Sequence, residues 1–354
     1  MKIETLLSEK GKEALTAVRK IVDPLWEPAR GSDWRPPEVD RRLTWALSKK
    51  NDDFVVSILA EQEDSWATRK AKELEQNFPE AIVWTATGEA QSSYPDSDPA
   101  PHATSGEIRP GVSIGHGRFR AGTLSCIVTT QGKDRDQVGV LTASHVVALN
   151  ESARIGDRIY SPGKPEIGEL TRRLAIGKLD DCVDLIPVIG YDPGGEDIFQ
   201  SIDIALVNLE ELDPDRKIPK WNEVPNPKDP ASSMLRLKQV AAEEDLPKYL
   251  NQEVFKFGRT TGFTRGKLVY HNIAQREIKL PNNKLYVYRE LFGVVPAAAE
   301  EPFSRPGDSG APVYTADGRL LGFVVGADNT VCLCCMAERS LRRMRARLLG
   351  GRAG

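Results

Sequence analysis

The chemistry-bearing residues of this chain centre on Arg305-Pro306-Gly307-Asp308-Ser309-Gly310-Ala311-Pro312-Val313. A serine there has a glycine on one side, a Gly-Asp pair on the other, and an apolar run directly after it. Gly307 permits a tight turn that brings a backbone N–H close to a bound carbonyl, and Gly310 leaves room beside the hydroxyl. A serine hydroxyl attacks well only when a base takes its proton, and the base works best when a carboxylate orients it. The chain has four histidines, His102, His116, His145 and His271. His145 closes an apolar stretch, Gly139-Val140-Leu141-Thr142-Ala143-Ser144, which places an imidazole of near-neutral pKa at a strand end. A histidine satisfied by structural hydrogen bonds is the plainer reading of His145 alone; the serine motif favours the base. For the carboxylate, Asp203 in Ser201-Ile202-Asp203-Ile204-Ala205-Leu206-Val207 is flanked by apolar residues. A buried acid needs a partner, and His145 is the natural one. Asp180, Asp181 and Asp184 are rivals, clustered in a more solvated segment, and Asp203 is preferred to them.

The elements that must position these groups fall into two regions. From 122 onward, short β-branched runs alternate with Gly, Pro and Asp: 122–130, 137–143, 202–209, 254–257, 267–270, 285–288, 311–314, 320–325 and 331–336. Many short strands with frequent turns predict an all-β barrel or sandwich. Two inserts interrupt it. Residues 186–200 are rich in Gly, Pro and Asp, and 211–250 carry a Pro-rich loop and then a helix-like stretch from Met234 to Leu250. A basic helix is expected over 338–349. The amino-terminal region reads differently. Apolar residues at three- and four-residue spacing predict helices over 3–23, 38–50 and 53–77, with Pro24 ending the first. Residues 88–106 are dominated by Gly, Ser, Pro and Asp and read as a linker. The expected organisation is a helical adaptor or regulatory domain over 1–87, a linker over 88–106, and a catalytic domain over 107–354.

Composition narrows the function. The 354 residues carry a formal net charge of −3, without the basic excess of a dedicated nucleic-acid binder. The first twenty residues lack an uninterrupted apolar segment, so a secretory signal is not expected, and no run of about 18 apolar residues suggests a membrane span. The five cysteines, Cys126, Cys182, Cys332, Cys334 and Cys335, are an odd number and fit free thiols in the cytoplasm. The spacing Cys332-x-Cys334-Cys335 is too tight for a usual metal pair, and buried structural cysteines are expected. Neither a metal nor a cofactor is implied. Phe257-Gly258-Arg259-Thr260-Thr261-Gly262-Phe263-Thr264-Arg265-Gly266 is glycine-rich but lacks the Gly-Lys-Ser/Thr ending of a phosphate loop. A turn between two strands is the better reading.

The order His145, Asp203, Ser309 resembles that of the chymotrypsin/trypsin-like serine peptidases. More closely, the chain is similar to a bacterial and plant group of these peptidases that includes the narrow-leaf protein of rice. The resemblance rests on Arg109-Pro110-Gly111-Val112-Ser113-Ile114-Gly115-His116, Ala121-Gly122-Thr123-Leu124, the His145 segment, Phe257 to Gly266 and the Ser309 segment, and it covers about 107–336. It implies a mainly β fold, a double β-barrel of the chymotrypsin type, here with an N-terminal all-α domain and a short C-terminal helix. It implies an intracellular serine endopeptidase: Ser309 as nucleophile, His145 as general base and acid, Asp203 as orienting carboxylate, and the N–H groups of Gly307 and Ser309 as oxyanion hole. The partner is then a protein substrate, with regulation or self-association through the amino-terminal domain. A catalytically silent peptide-binding scaffold, or an esterase using the same triad, are the alternatives. A helical domain joined to such a peptidase also resembles the layout of bacterial conflict (antiviral defence) systems.

The chain departs from the family in two places. No Ile-Val-Gly-Gly-like stretch follows a basic residue near position 110, so Asp308 is expected to pair internally rather than with a new amino terminus. Six residues before the nucleophile stands Phe303, where trypsin has an acid, and this speaks for a small or apolar residue before the scissile bond. Asp328, after the 320–325 strand, is the other candidate for the pocket wall.

Overall fold

The computed structural model describes residues 2–26, 43–61, 66–92, 108–118, 121–131, 136–149, 153–163, 174–188, 199–209, 218–298 and 301–351. His102 and most of the expected linker lie outside them.

The amino-terminal region comprises α1 (Glu9–Trp26), β1 (Leu43–Lys50), β2 (Asp53–Glu61), α2 (Trp66–Asn77) and β3 (Ile82–Thr87). The expected all-α domain is therefore corrected: the described part of the helix expected over 38–50 is β1, and the helix expected over 53–77 begins as β2 and is helical only from Trp66, as α2. The cause is burial on both faces. Every residue from Leu43 to Ser48 is buried, and a strand covered on both sides carries apolar residues at all spacings, helical ones included. Asn51 turns the β1–β2 hairpin with φ 57°, in the left-handed region that asparagine tolerates. Pro24 does not end α1, which runs two residues further to Trp26.

Next in chain order come β4 (Ser113–His116), β5 (Gly122–Thr123), β6 (Cys126–Gln131), β7 (Asp136–Thr142), the single-turn α3 (Ser144–Val147), β8 (Arg158–Ser161), β9 (Leu174–Cys182), β10 (Phe199–Gln200), which pairs with β18 (Leu285–Tyr288), and β11 (Ala205–Asn208). Then follow β12 (Glu223–Asn226), β13 (Asp229–Arg236), β14 (Gln239–Val240), β15 (Glu253–Gly258), β16 (Gly262–Ile273), β17 (Arg276–Lys279) and β18 (Leu285–Tyr288). The chain continues through β19 (Leu291–Pro296), β20 (Pro312–Tyr314), β21 (Arg319–Ala327), β22 (Cys332–Met336), α4 (Ala337–Arg343) and β23 (Ala346–Leu348). The helix-like stretch expected over 234–250 is instead the end of β13, β14 and a 3-10 segment, Glu243–Tyr249. The expected carboxy-terminal helix is present but short, and its last residues turn into β23.

The mainly β expectation holds. Strands β15, β20, β21, β22, β19 and β16 pair in succession, and β15 pairs back with β16, closing a six-stranded barrel. Strands β23, β6, β7, β11, β9, β8, β4 and β5 form an open sheet, a half-barrel. Between the two runs an apolar seam in which Leu141 and Leu206 of the half-barrel meet Phe255, Phe257 and Phe323 of the barrel. At about 25 cal/mol per Å² of apolar surface, such burial is the main force holding the units in register. The amino-terminal strands extend the barrel sheet, β16 pairing with β1, then β2 and β3. They share its core: Trp26, Val56 and Ile58 belong to the same buried cluster as Leu268, Phe292 and Val294. The three clustered cysteines, Cys332, Cys334 and Cys335, are buried on β22.

His271 sits where the two parts join, opposite Leu47. Burial pushes its imidazole down to about 4, with the Glu243 carboxylate opposing and Arg339 assisting. Nδ1 has no hydrogen-bond partner among the described residues. The unfolded chain then binds the proton near pH 6.5 and the folded chain only near 4, so stability is complete above 6.5 and is lost as pH falls towards 4. The loss across that window is expected to be about 3 kcal/mol. Denaturant unfolding of His271→Gln between pH 7 and pH 4.5 should show a clearly flatter pH dependence than the parent; equal slopes would contradict the assignment.

Candidate active site

The three expected groups reach one place from three elements. Strand β7 runs out at Thr142, Ala143 is extended (φ −64°, ψ 141°), and the single turn of α3 follows. Ser144 Oγ fixes that turn by donating to Val183 O (2.7 Å). Strand β11 pairs with β7 through Ala205 and Thr142, so Asp203, just ahead of β11, arrives beside α3. One carboxylate accepts from His145 twice: Nδ1–H to Oδ2 at 2.6 Å and the backbone N–H to Oδ1 at 3.1 Å. Tyr288, on β18, donates its hydroxyl to Oδ2 at 2.8 Å.

Asp203 and His145 are both almost wholly buried. Burial would raise the Asp203 carboxyl, but the imidazole beside it, the Nδ1 and Tyr288 hydrogen bonds and the His145 N–H together hold it below its ordinary value. Burial and the neighbouring carboxylate push the Tyr288 phenol well up, so it remains a donor. With Nδ1 carrying the proton given to Asp203, Nε2 is left as the acceptor of the neutral ring. Of the rival acids, Asp181 pairs with Arg343 (2.8 Å) at the surface, and Asp184 lines a different cavity. Tyr288→Phe removes one of the donors to Asp203 Oδ2 and is expected to lower kcat about tenfold with KM little changed; an unchanged kcat would contradict a positioning role for the phenol.

Ser309 comes from the loop before β20, and the half-barrel clamps that loop. Thr123 N–H donates to Ser309 O (2.8 Å). Thr123 Oγ1 donates to Gly307 O (2.9 Å) and Ser125 Oγ to Gly310 O (2.5 Å). Gly307 (φ 99°) and Gly310 (φ 87°) both lie in the left-handed region. A Cβ on Gly307 would collide with Thr260 Oγ1, and one on Gly310 would stand 2.5 Å from Thr123 O. Neither the Gly307 nor the Ser309 N–H has an acceptor among the described residues, which leaves both available to a negatively charged oxygen.

Asp308 is paired internally. Its carboxylate, fully buried, lies 3.1 Å from the equally buried Lys256 ammonium on β15. It also accepts from Thr260 N–H (2.9 Å), Thr261 N–H (3.2 Å), Thr261 Oγ1 (2.7 Å) and Arg305 N–H (3.0 Å). Burial works to raise this carboxyl; Lys256 and those hydrogen bonds overcome it and hold it below its ordinary value. The glycine-rich 257–266 segment is the β15–β16 turn, with Gly258 opposite Gly262. Its task is to cradle Asp308, for a Cβ on Gly258 would strike that carboxylate.

Beside Ser309 opens a cavity of about 370 Å³, lined among others by Pro302, Ser304, Arg305, Val324, Ala327 and Asp328. Phe303 does not line it; its ring is buried in the barrel core, where Gly266 makes room for it. Asp328 does line it, but its carboxylate is bound to Arg276 (2.9 Å) and caps the following turn through Thr330 N–H (2.6 Å) and Val331 N–H (2.8 Å).

Lys256, Tyr288, Thr123 and Ser92 were not foreseen as site residues. Ser92 Oγ lies 2.8 Å from His145 Nε2 and 2.8 Å from Ser309 Oγ, bridging the two. A lysine inside the apolar run Val254-Phe255-Lys256-Phe257 is a signal, because a buried cation requires a buried acid. Ser92 had none, being one serine in a polar stretch.

No protein-family model matches the chain, and no curated protein is similar to it in sequence. Among solved structures it is similar to Thermobifida fusca protease A at 16% identity, covering 69% of this chain and 98% of that one, with a TM-score of 0.40. It is also similar to a Cellulomonas bogoriensis chymotrypsin at 16% identity, 69% and 99% coverage and a TM-score of 0.41. The active form of the Rv3671c protease from M. tuberculosis is similar at 16% identity, 72% and 94% coverage and a TM-score of 0.34.

Proposed function

We propose that the protein is a serine endopeptidase that cleaves an extended segment of a protein substrate through an acyl-enzyme. The observation that carries this reading is the line from Asp203 to His145, whose Nε2 reaches Ser309 through the Ser92 hydroxyl, with two uncommitted N–H groups beside the serine. In the first half-reaction Ser309 Oγ attacks the scissile carbonyl and His145 Nε2 takes the hydroxyl proton. The tetrahedral oxyanion binds the Gly307 and Ser309 N–H groups, donors of a kind worth about 10²–10³ in rate. His145 then protonates the leaving amine, the C–N bond breaks, and water hydrolyses the acyl-enzyme by the same proton path. The cavity beside Ser309 would receive the side chain preceding the scissile bond. Pro302, Val324 and Ala327 on its wall support a small or apolar residue there, and the Arg276 guanidinium already neutralises Asp328. Five free cysteines support a reducing, cytoplasmic setting.

The test is digestion of an unfolded peptide library by the full chain, with new amino termini identified by mass spectrometry and a small ester run in parallel. New termini formed by the parent protein and absent with Ser309→Ala are expected. Ester hydrolysis without peptide cleavage would replace the endopeptidase by an esterase, and termini that persist in Ser309→Ala would remove Ser309 as nucleophile.

A further inference from the structure

The segment leaving β3 does not run free across the surface. Arg276 Nη2 donates to Gly88 O (2.5 Å) while it holds Asp328. Ala90 and Ser92 are 1% and 2% exposed. Gln91 then pairs as an extra strand against the end of β21. Its N–H donates to Ala327 O (2.8 Å), and Ala327 N–H donates back to Gln91 O (2.9 Å). This is an antiparallel bridge. On its other side the segment runs parallel to β17, Lys279 N–H donating to Ala90 O (3.1 Å) and Ser92 N–H to Lys279 O (2.9 Å). Three residues of backbone thus fill the slot between β17 and β21. The slot lies next to Ser309, and both exposed strand edges are used.

That is how an extended peptide binds to a sheet edge: main-chain pairing supplies affinity and alternate side chains reach pockets. Here the next side chain along, Ser92, enters the space between base and nucleophile. Nε2 is the acceptor of the ring, so the Ser92 hydroxyl donates to Nε2 and accepts from Ser309. Among the described residues there is no direct Ser309–His145 hydrogen bond. The base is engaged by a hydroxyl with no carbonyl to attack, and the approach of a substrate carbonyl is filled.

We propose that Ala90–Ser92 is a built-in occupant of the substrate strand position, and that Ser92 locks the site by interposing its hydroxyl between His145 and Ser309. An incoming extended peptide, or a partner that draws the segment out, must break its four backbone hydrogen bonds before Ser309 and His145 can meet. This rests on the peptidase reading of the site.

A fluorophosphonate, which bonds covalently to an activated serine, reads the lock in the full-length chain. Ser92→Ala removes the interposed hydroxyl, and Gln91→Pro removes the N–H given to Ala327. Each is expected to raise the labelling rate about tenfold over the parent, with Ser309→Ala unlabelled. Parent and variants labelling equally fast would overturn the lock and leave the peptidase reading standing. A slower Ser92→Ala would also overturn it, since the hydroxyl would then relay the proton rather than block it. No labelling of parent or variants would overturn both. A second measurement uses the unaltered chain alone. Labelling Ser309 should expel the segment, so amide hydrogen exchange at Gln91 and Ser92 should accelerate at least tenfold; unchanged exchange overturns the lock.

Discussion

Replacing Ser309 or His145 with alanine is expected to lower kcat for peptide cleavage by about 10⁶, and replacing both by no more than either alone. In the proposed mechanism the two act as one unit. Without Ser309 there is no oxygen to acylate, and without His145 the hydroxyl keeps its proton, so the second loss removes nothing the first had left. Asp203→Asn is expected to cost about 10⁴. His145 gives both its Nδ1–H and its backbone N–H to this one carboxylate, and an amide would turn one acceptor into a donor and favour the wrong tautomer. The measurement is kcat on a cleaved peptide, with circular dichroism to verify folding. A double variant slower than either single one by a further factor of 100 or more would mean that the residues do not share a mechanism.

The second large effect concerns Lys256, which touches no substrate. Lys256→Met leaves the Asp308 carboxylate buried without its cation and is expected to destabilise the fold by about 3–5 kcal/mol. Asp308 sits between Gly307 and Ser309 in sequence, and its bonds to Thr260, Thr261 and Arg305 set the path of the loop. Loosening it should misplace the two N–H groups and lower kcat by about 10²–10³. The double variant Lys256→Met with Asp308→Asn removes both charges, and most of the stability should return, because a neutral pair of similar volume lacks the isolated buried charge. Urea unfolding of the two single variants and the double one gives the coupling. A Lys256→Met protein as stable as the parent, or a double variant no more stable than Lys256→Met alone, would contradict the role given to the pair.

What the sequence made legible was local. The strands over 285–288 and 331–336 were visible as short β-branched or buried runs between turn residues, and the Ser309 loop was visible through glycines that the backbone requires at φ 99° and 87°. Partners distant in sequence were hidden. Lys256 meets Asp308 across 52 residues and Tyr288 meets Asp203 across 85, and only the tertiary fold brings them together. The amino-terminal strands carry a helical pattern in sequence because β1 is buried on both faces, which erases the alternation that marks a strand. Composition alone marks the 88–92 stretch as linker. Its order comes from pairing with Lys279 and Ala327, and composition carries no trace of that.

The most direct test of the site is to treat the full chain with a fluorophosphonate and locate the adduct by peptide mass spectrometry. The account predicts a single modified residue, Ser309, with labelling lost in Ser309→Ala and strongly slowed in His145→Ala. Modification at another serine, or labelling of Ser309 at the same rate without His145, would contradict it.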